Sequence, residues 1–244
     1  MIEVKNLSKS FGDKGVLSDI NFSIPKGQAV TIIGKSGVGK SVLLKCLIGL
    51  LKPDLGTVYI DNKLINSMNF KQLQEIRSKI GMVFQFGALF DSLNVSDNIS
   101  LALKKLTLLN KDEIRDRVKN SLREVGMENT EELMPSELSG GMKKRIGIAR
   151  AIALKPSCLF YDEPTTGLDP VMTDGINRLI NKFQKSGDVT SVIITHEMKT
   201  VNDVADRVIM LNDGNIIYDG NSSSLHETDN VIVQQFITGN STLA

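Results

Sequence analysis

The sequence predicts an α/β fold with a phosphate-binding core, a small antiparallel sheet and an inserted helical segment. Three stretches carry that expectation. Gly34-Lys35-Ser36-Gly37-Val38-Gly39-Lys40-Ser41 sits between an apolar, β-branched run and an apolar stretch of helical length. Residues 1–26 alternate short apolar runs with turn residues. Phe86 to Leu154 shows helical periodicity with mixed charge.

The glycine stretch has two glycines, a lysine and a hydroxyl residue at phosphate-loop spacing, and its flanks supply the required context. Ala29-Val30-Thr31-Ile32-Ile33 reads as a buried strand, and Val42 to Leu51 as a helix ending before Pro53. Glycines let the backbone wrap an anion, the loop N–H groups point inward, and the helix N-terminus adds about half a positive charge. A polyphosphate is the ligand this chemistry selects, with Lys40 reaching its β and γ phosphates and the Ser41 hydroxyl ligating Mg²⁺.

At 244 residues the chain can bury one full core, so a single domain spanning 1–244 is expected. Lys and Arg number 29 against 28 Asp and Glu, which offers no electrostatic argument for a nucleic-acid partner. Cys46 and Cys158 lie far apart in apolar runs without metal-ligand spacing, the pattern of reduced, buried thiols in a cytosolic protein. No apolar stretch reaches the roughly 18 residues of a membrane span, and Met1-Ile2-Glu3-Val4 opens into a strand pattern without a signal peptide. Any membrane role is therefore expected to run through a partner.

Along the chain, residues 1–26 form the small antiparallel sheet. Phe11, in a polar turn, either stacks on the adenine of a nucleotide or caps that sheet. Thr57 to Ile60 and Ile80 to Phe84 are further strands, joined by a helical connection from Phe70 to Lys79. Gln85 follows directly, placed at a strand end where its amide oxygen reaches a metal or the attacking water, or else as a solvated loop residue. Residues 86–155 are the helical insertion. Its front, Gly87 to Val95, carries large apolar residues that serve either its own core or an exposed protein contact. Ser139-Gly140-Gly141 opens a helix running to Leu154, as a second anion-binding terminus or a plain serine cap.

Cys158 to Tyr161 is an apolar strand ending in Asp162 and Glu163, a costly arrangement unless positive charge meets it. Asp162 suits the shell of Mg²⁺, and Glu163 suits orienting or deprotonating a water. Val171 to Lys185 is a helix, and Ser191 to Thr195 a strand with His196 at its carboxyl end, placed to bond a γ-phosphate. Asn212-Asp213-Gly214-Asn215 marks a hairpin. The tail from Val231 to Ala244, weakly apolar and then polar, is either frayed or docked on a partner.

Taken together and in order, Gly34 to Ser41, Gln85, Leu138-Ser139-Gly140-Gly141, Asp162-Glu163, Leu168-Asp169 and His196 resemble the ATP-binding subunit of an ABC transporter over nearly the whole chain. The resemblance implies a P-loop NTPase (RecA-like) core with an antiparallel β subdomain and an inserted α-helical subdomain. It implies a homodimer in which ATP on one copy's loop is covered by Ser139, Gly140 and Gly141 of the other. By it, Phe11 stacks on adenine, Ser41, Gln85 and Asp162 hold Mg²⁺, Glu163 is the general base, Asp169 touches the opposite site and His196 holds the γ-phosphate. The family's signature usually ends in Gln where this chain has Met142. With Gln85 to Phe90, Glu163 to Pro170, Thr195 to Met198 and Gln235 to Gly239, that methionine is similar to the ATPases of bacterial Mce-type (Mla-like) lipid transport systems. That implies a phospholipid or related cargo, a transmembrane permease, an Mce-type substrate-binding protein, and a place on the cytoplasmic face of the inner membrane. ABC ATPases acting on other substrates, on DNA or ribosomes, or as regulators are the competing readings. The single cassette, with no coiled-coil or zinc module, argues against the nucleic-acid group.

Overall fold

The computed structural model describes residues 1–185 and 189–240. In chain order the elements are β1 (Ile2–Phe11), β2 (Lys14–Ile24), β3 (Ala29–Ile33), α1 (Lys40–Leu47), β4 (Leu55–Ile60), β5 (Lys63–Leu64), α2 (Phe70–Arg77) and β6 (Ile80–Val83). There follow α3 (Val95–Leu106), α4 (Lys111–Glu124), α5 (Gly140–Ile152), β7 (Cys158–Asp162) and α6 (Pro170–Lys185). The chain closes with β8 (Thr190–Ile194), α7 (Met198–Val204), β9 (Arg207–Asn212), β10 (Asn215–Asn221) and α8 (Val231–Thr238). They fall into two compact units: Met1–Ile76 together with the chain from Thr190 on, and Arg77–Val189.

In the first unit, β1 pairs antiparallel with β2 and β4, and β4 with β5, which is the small sheet expected from the alternating pattern. β3 runs parallel to both β8 and β9, with Val30 opposite Val192 on one side and Arg207 on the other. All five of its residues are buried, because a central parallel strand is covered on both faces and reads as a continuous apolar run. β9 turns into β10 through Asp213 and Gly214, both at positive φ, the conformation a tight hairpin turn demands.

Two expectations are corrected in this unit. α1 stops at Leu47 rather than Leu51, where Gly49 takes φ 67° and the amides of Leu50 and Leu51 turn back to the Lys45 carbonyl. Residues 231–238 are not frayed. They form α8, capped by Asn230 and ended by Gly239 at φ 68°, whose Val233, Phe236 and Ile237 pack on a core of Ile33, Val201, Val208, Met210 and Leu225. An eight-residue apolar helix gains more by covering its own sheet than by standing in water. Residues 241–244 of that expectation lie outside the described chain.

In the second unit β6 and β7 run parallel, with Val83 opposite Tyr161, and α3, α4 and α5 pack on one another with α5 also against β6. Asn94 caps α3, and Asn110 with Glu113 forms a reciprocal capping box on α4, so the polar residues between helices set where each begins. β6 ends at Val83, leaving Phe84 in the turn before Gln85. Cys46 and Cys158 are both buried, and burial pushes the Cys46 thiol up to about 11.

Gly81 of β6 lies close against both β7 and α5: a Cβ there would lie 2.6 Å from Leu159 Cδ2 and 2.8 Å from the Ala151 carbonyl oxygen. Gly81→Ala is expected to cost about 1–3 kcal/mol of stability, lowering Tm by about 2–4 °C per kcal/mol for a chain of this size. Thermal denaturation followed by circular dichroism reads this, and an unchanged Tm would rule out so close an approach.

Candidate functional site

The first unit presents a phosphate-sized cradle at the carboxyl end of β3. Gly34, Gly37 and Gly39 take φ of 147°, 83° and 105°. At Gly34 a Cβ would sit 2.3 Å from the Leu211 carbonyl oxygen, and at Gly39 one would sit 2.9 Å from both Leu17 Cδ2 and the Val16 carbonyl oxygen. Only glycine therefore makes the turn out of β3 and the entry into α1. Lys35, Ser36 and Gly37 are exposed and Val38 half-buried, while Lys40 is buried at the head of α1 with Ser41 beside it. The Lys40 ammonium donates to the carbonyls of Gly34 at 2.7 Å and Lys35 at 3.0 Å, so it already points into the loop. A bound polyphosphate would offer charged acceptors in the same place.

His196 stands at the same end of the neighbouring strand. Ile32 lies opposite Ile194, the Thr195 amide donates to the Ile32 carbonyl, and His196 emerges exposed one residue further on. Phe11 ends β1 and is 49% exposed. Lys9 Nζ lies 5.4 Å from the ring centroid and is tied to Asp54 at 2.7 Å. That hydrogen bond, with another from the Ser10 amide, holds the Asp54 carboxyl below its ordinary range.

The second unit gathers the acidic and amide groups at the carboxyl ends of its own parallel pair. β7 ends on Asp162, Glu163 follows at φ 50°, and Gln85 stands beyond the end of the adjoining β6. The Thr166 hydroxyl donates to Glu163 Oε2 at 2.9 Å. The turn bearing Gln85 is closed by the Gly87 amide on the Phe84 carbonyl and clamped by Arg150, whose guanidinium donates to the carbonyls of Gly87 at 2.8 Å and Ala88 at 2.6 Å. Burial lowers the pKa of that guanidinium, which stays charged.

Ser139 is the N-cap of α5, its hydroxyl accepting from the Met142 amide at 3.3 Å, and both Ser139 and Gly140 are exposed. Among the described residues, nothing beyond its neighbours and its own helix backbone comes within 4 Å of where a Cβ on Gly140 would be, whereas one on Gly141 would meet Met172 Sδ at 3.0 Å. Asp169 Oδ1 accepts from the amides of Val171 and Met172 at 2.9 Å, capping α6. The structure thus brings the loop together with His196, Gln85 with Asp162 and Glu163, and Ser139 to Gly141 with the Asp169 turn.

At the carboxyl ends of the second unit's parallel pair, the Gln85 amide oxygen and the Asp162 carboxylate are oxygen donors; the first unit carries the Ser41 hydroxyl at the head of α1. No cluster of three or more His, Cys, Asp or Glu able to hold a metal occurs among the described residues. Oxygen donors of this kind suit Mg²⁺, which keeps waters and takes phosphate oxygens beside one or two protein ligands rather than a protein cage.

Residues the sequence reading left unassigned include Lys144, Arg150 and Thr166. Lys144 shares a buried face of α5 with Ile148 and Ala151, four and seven residues on. A lysine at apolar helical spacing was the signal that it turns inward.

The ABC transporter family model matches residues 17–166. The chain is 38% identical over 241 residues to the intermembrane phospholipid transport system ATP-binding protein MlaF of Haemophilus influenzae, covering 99% of this chain and 91% of that one. It is 42% identical over 238 residues to the probable ribonucleotide transport ATP-binding protein mkl of Mycobacterium leprae, covering 98% and 69% respectively. Among solved structures, the dimeric post-hydrolysis state of the ATP-binding cassette MJ0796 bound to ADP and Pi superposes with a TM-score of 0.84 at 33% identity, over 91% of this chain and 99% of that one. CbiO1 of Clostridium perfringens, part of an ABC transporter complex, gives 0.85 at 34% identity, over 96% and 93%. With a glycine cradle, a strand-end carboxylate pair and a serine-capped signature helix set in that frame, the chain belongs to the ABC transporter family and is its ATP-hydrolysing subunit.

Proposed function

We propose that residues 1–244 act as one ATP-binding domain, with 86–155 as its helical part, and that it powers movement of phospholipid or a related lipid between bacterial envelope membranes. The observation that carries the mechanism is the open N-terminus of α5. Ser139 and Gly140 face outward with no atom of their own chain filling the space beside Gly140. A helix N-terminus so exposed suits an anion brought by a second copy, in keeping with the dimeric state of MJ0796.

In this reading the loop amides of residues 34–39 and the Lys40 ammonium hold the β and γ phosphates, the Gly34 and Lys35 carbonyls releasing Lys40 as they bind. The half-exposed Phe11 ring stacks on adenine, a contribution of about 1–3 kcal/mol. Glu163 takes the proton of the attacking water, steadied by the Thr166 hydroxyl, and His196 donates to the γ-phosphate. Mg²⁺ on Ser41, Gln85 and Asp162 would neutralise charge on the phosphate oxygens. Ser139, Gly140 and Gly141 of the second copy close the site, and Asp169 touches the opposite site. Loss of the γ-phosphate removes the group both copies share, and they part.

No described helix is long and apolar enough to cross a membrane. In this reading the membrane is reached through a permease. Its docking surface is a groove of about 590 Å³ lined by Phe84, Phe90, Leu101, Leu106 and Arg150. Phe84, Phe90 and Leu106 are 38–53% exposed there. In this reading Phe90 of the apolar front is a contact, while Val95 at its end is buried in the insertion's own core. This assigns the chain to the cytoplasmic face of the inner membrane, with an Mce-type substrate-binding protein as further partner. Similarity to MlaF supports lipid as cargo. Similarity to a probable ribonucleotide transport protein favours a second reading, an ABC ATPase for another substrate.

Glu163→Gln is expected to keep ATP affinity while turnover falls by about 10²–10⁴-fold, the usual worth of a general base. ATP is expected to hold that variant as a dimer in mass photometry; undiminished hydrolysis would remove Glu163 from the role. Phe90→Asp should abolish co-purification with the permease and leave basal ATPase intact, and retained co-purification would exclude the groove. Mass spectrometry of the native complex should find enriched phospholipid, whereas ATPase stimulation by ribonucleotides with no enriched lipid would favour the second reading.

A further inference from the structure

We propose that Lys144 is a positioning residue: through Thr166 it ties the signature helix to the carboxylate of Glu163, so that one bonded chain links the cap of one nucleotide site to the base of the other. The inference rests on the reading of Glu163 as base and of Ser139 as the cap over the second copy's nucleotide.

Lys144 stands a little over one turn into α5 and is 6% exposed. A buried ammonium costs several kcal/mol unless it is bonded. Here Lys144 Nζ donates to the Thr166 carbonyl oxygen at 2.6 Å, a charge-assisted bond spanning 22 residues of sequence. Thr166 uses its other oxygen differently. Its hydroxyl donates to Glu163 Oε2 at 2.9 Å, so a single residue is held by the signature helix and itself holds the carboxylate.

Glu163 also has reason to need holding. It takes φ 50°, a left-handed conformation that is strained for a non-glycine residue and persists only where the surroundings over-determine it. A second seam runs beside the first. Met172, whose amide is capped by Asp169, sets its sulfur 3.0 Å from where a Cβ of Gly141 would lie. The first turns of α5 and the 163–172 segment are therefore joined at two places, Lys144 to Thr166 and Gly141 to Met172. A displacement of Ser139 when the second copy's ATP arrives is carried along this seam to the Glu163 carboxylate.

The test uses the whole chain in its complex, with Lys144→Met, Lys144→Arg, Thr166→Val and the Lys144→Met/Thr166→Val double variant. Each is measured for ATP binding and for steady-state ATPase over a range of ATP concentrations. Lys144→Met is expected to lower kcat about tenfold with ATP affinity unchanged, and to lose cooperativity in ATP, with Lys144→Arg restoring both. Thr166→Val should reproduce the kcat loss, and the double variant should be no slower than the single ones, because residues acting through one chain of bonds are not additive. Wild-type kcat and cooperativity in Lys144→Met, or additive losses in the double variant, would overturn the proposal. So would a loss in Lys144→Met that arginine does not rescue, since that is the mark of a packing role alone. If Lys144→Met is unstable, Thr166→Val, which leaves the Lys144 bond to a main-chain carbonyl in place, keeps the link open to refutation: wild-type kcat in it would overturn the proposal. Glu163→Gln distinguishes the two failures. Where that variant is inactive and Lys144→Met is not, only the link is wrong; where Glu163→Gln hydrolyses ATP normally, the assigned base is wrong.

Discussion

A Cβ on Gly34 would press to 2.3 Å of the Leu211 carbonyl, and that single steric constraint governs the nucleotide-binding unit. β3 is buried between β8 and β9, so the chain leaves it against the backbone of β9 and only a residue without a side chain can pass. The path this imposes brings the carbonyls of Gly34 and Lys35 over the Lys40 ammonium and delivers the chain to the first turn of α1. A buried lysine with backbone acceptors around it is a poised anion site, because exchanging neutral carbonyls for phosphate oxygens gains charge without moving the side chain far. The parallel pairing to β8 then brings His196 to the same end.

In the second unit the corresponding constraint is α5. Its N-terminus is the exposed serine cap, its inner face carries Lys144 to the carbonyl of Thr166, and further along Arg150 grips the carbonyls of Gly87 and Ala88. Gly147 allows this closeness, since a Cβ there would stand 3.3 Å from Gly87 Cα. One helix thus touches the turn bearing Glu163, the turn bearing Gln85 and, through Arg150, the apolar groove. Such an arrangement suits a machine whose nucleotide state is to be felt at a docking surface. A stiff helix bonded at both ends passes on a displacement that a loop would absorb.

The carboxylate pair at the end of β7 makes chemical sense in the same terms. Asp162 closes a strand of buried apolar residues, where unpaired negative charge is expensive. An arrangement that concentrates acid, amide and hydroxyl oxygens at strand ends is stable when a cation and phosphates share the charge. The oxygen-only donor set favours a cation held partly by its nucleotide.

Most of the strands, the helical character of the insertion and the glycine loop were legible in the sequence, because period, turn chemistry and motif spacing are local properties. Gly34 to Ser41, the hairpin at Asp213-Gly214 and the caps at Asn94 and Asn110 each encode their conformation within a few residues. Where the sequence misjudged, distant packing or an unread turn decided. α8 reads as a weakly apolar tail until Val208, Met210 and Leu225 are there to receive it. The apolar run that suggests a longer α1 is cut short at Gly49, because there the chain turns back on the Lys45 carbonyl. Likewise the spacing of Lys144 with Ile148 and Ala151 marks it as inward-facing, but only the tertiary structure sets it and Arg150 against carbonyls 22 and 62 residues away. A side chain's type is written in the sequence, but the acceptor that makes a buried charge tolerable belongs to whichever segment the fold brings beside it.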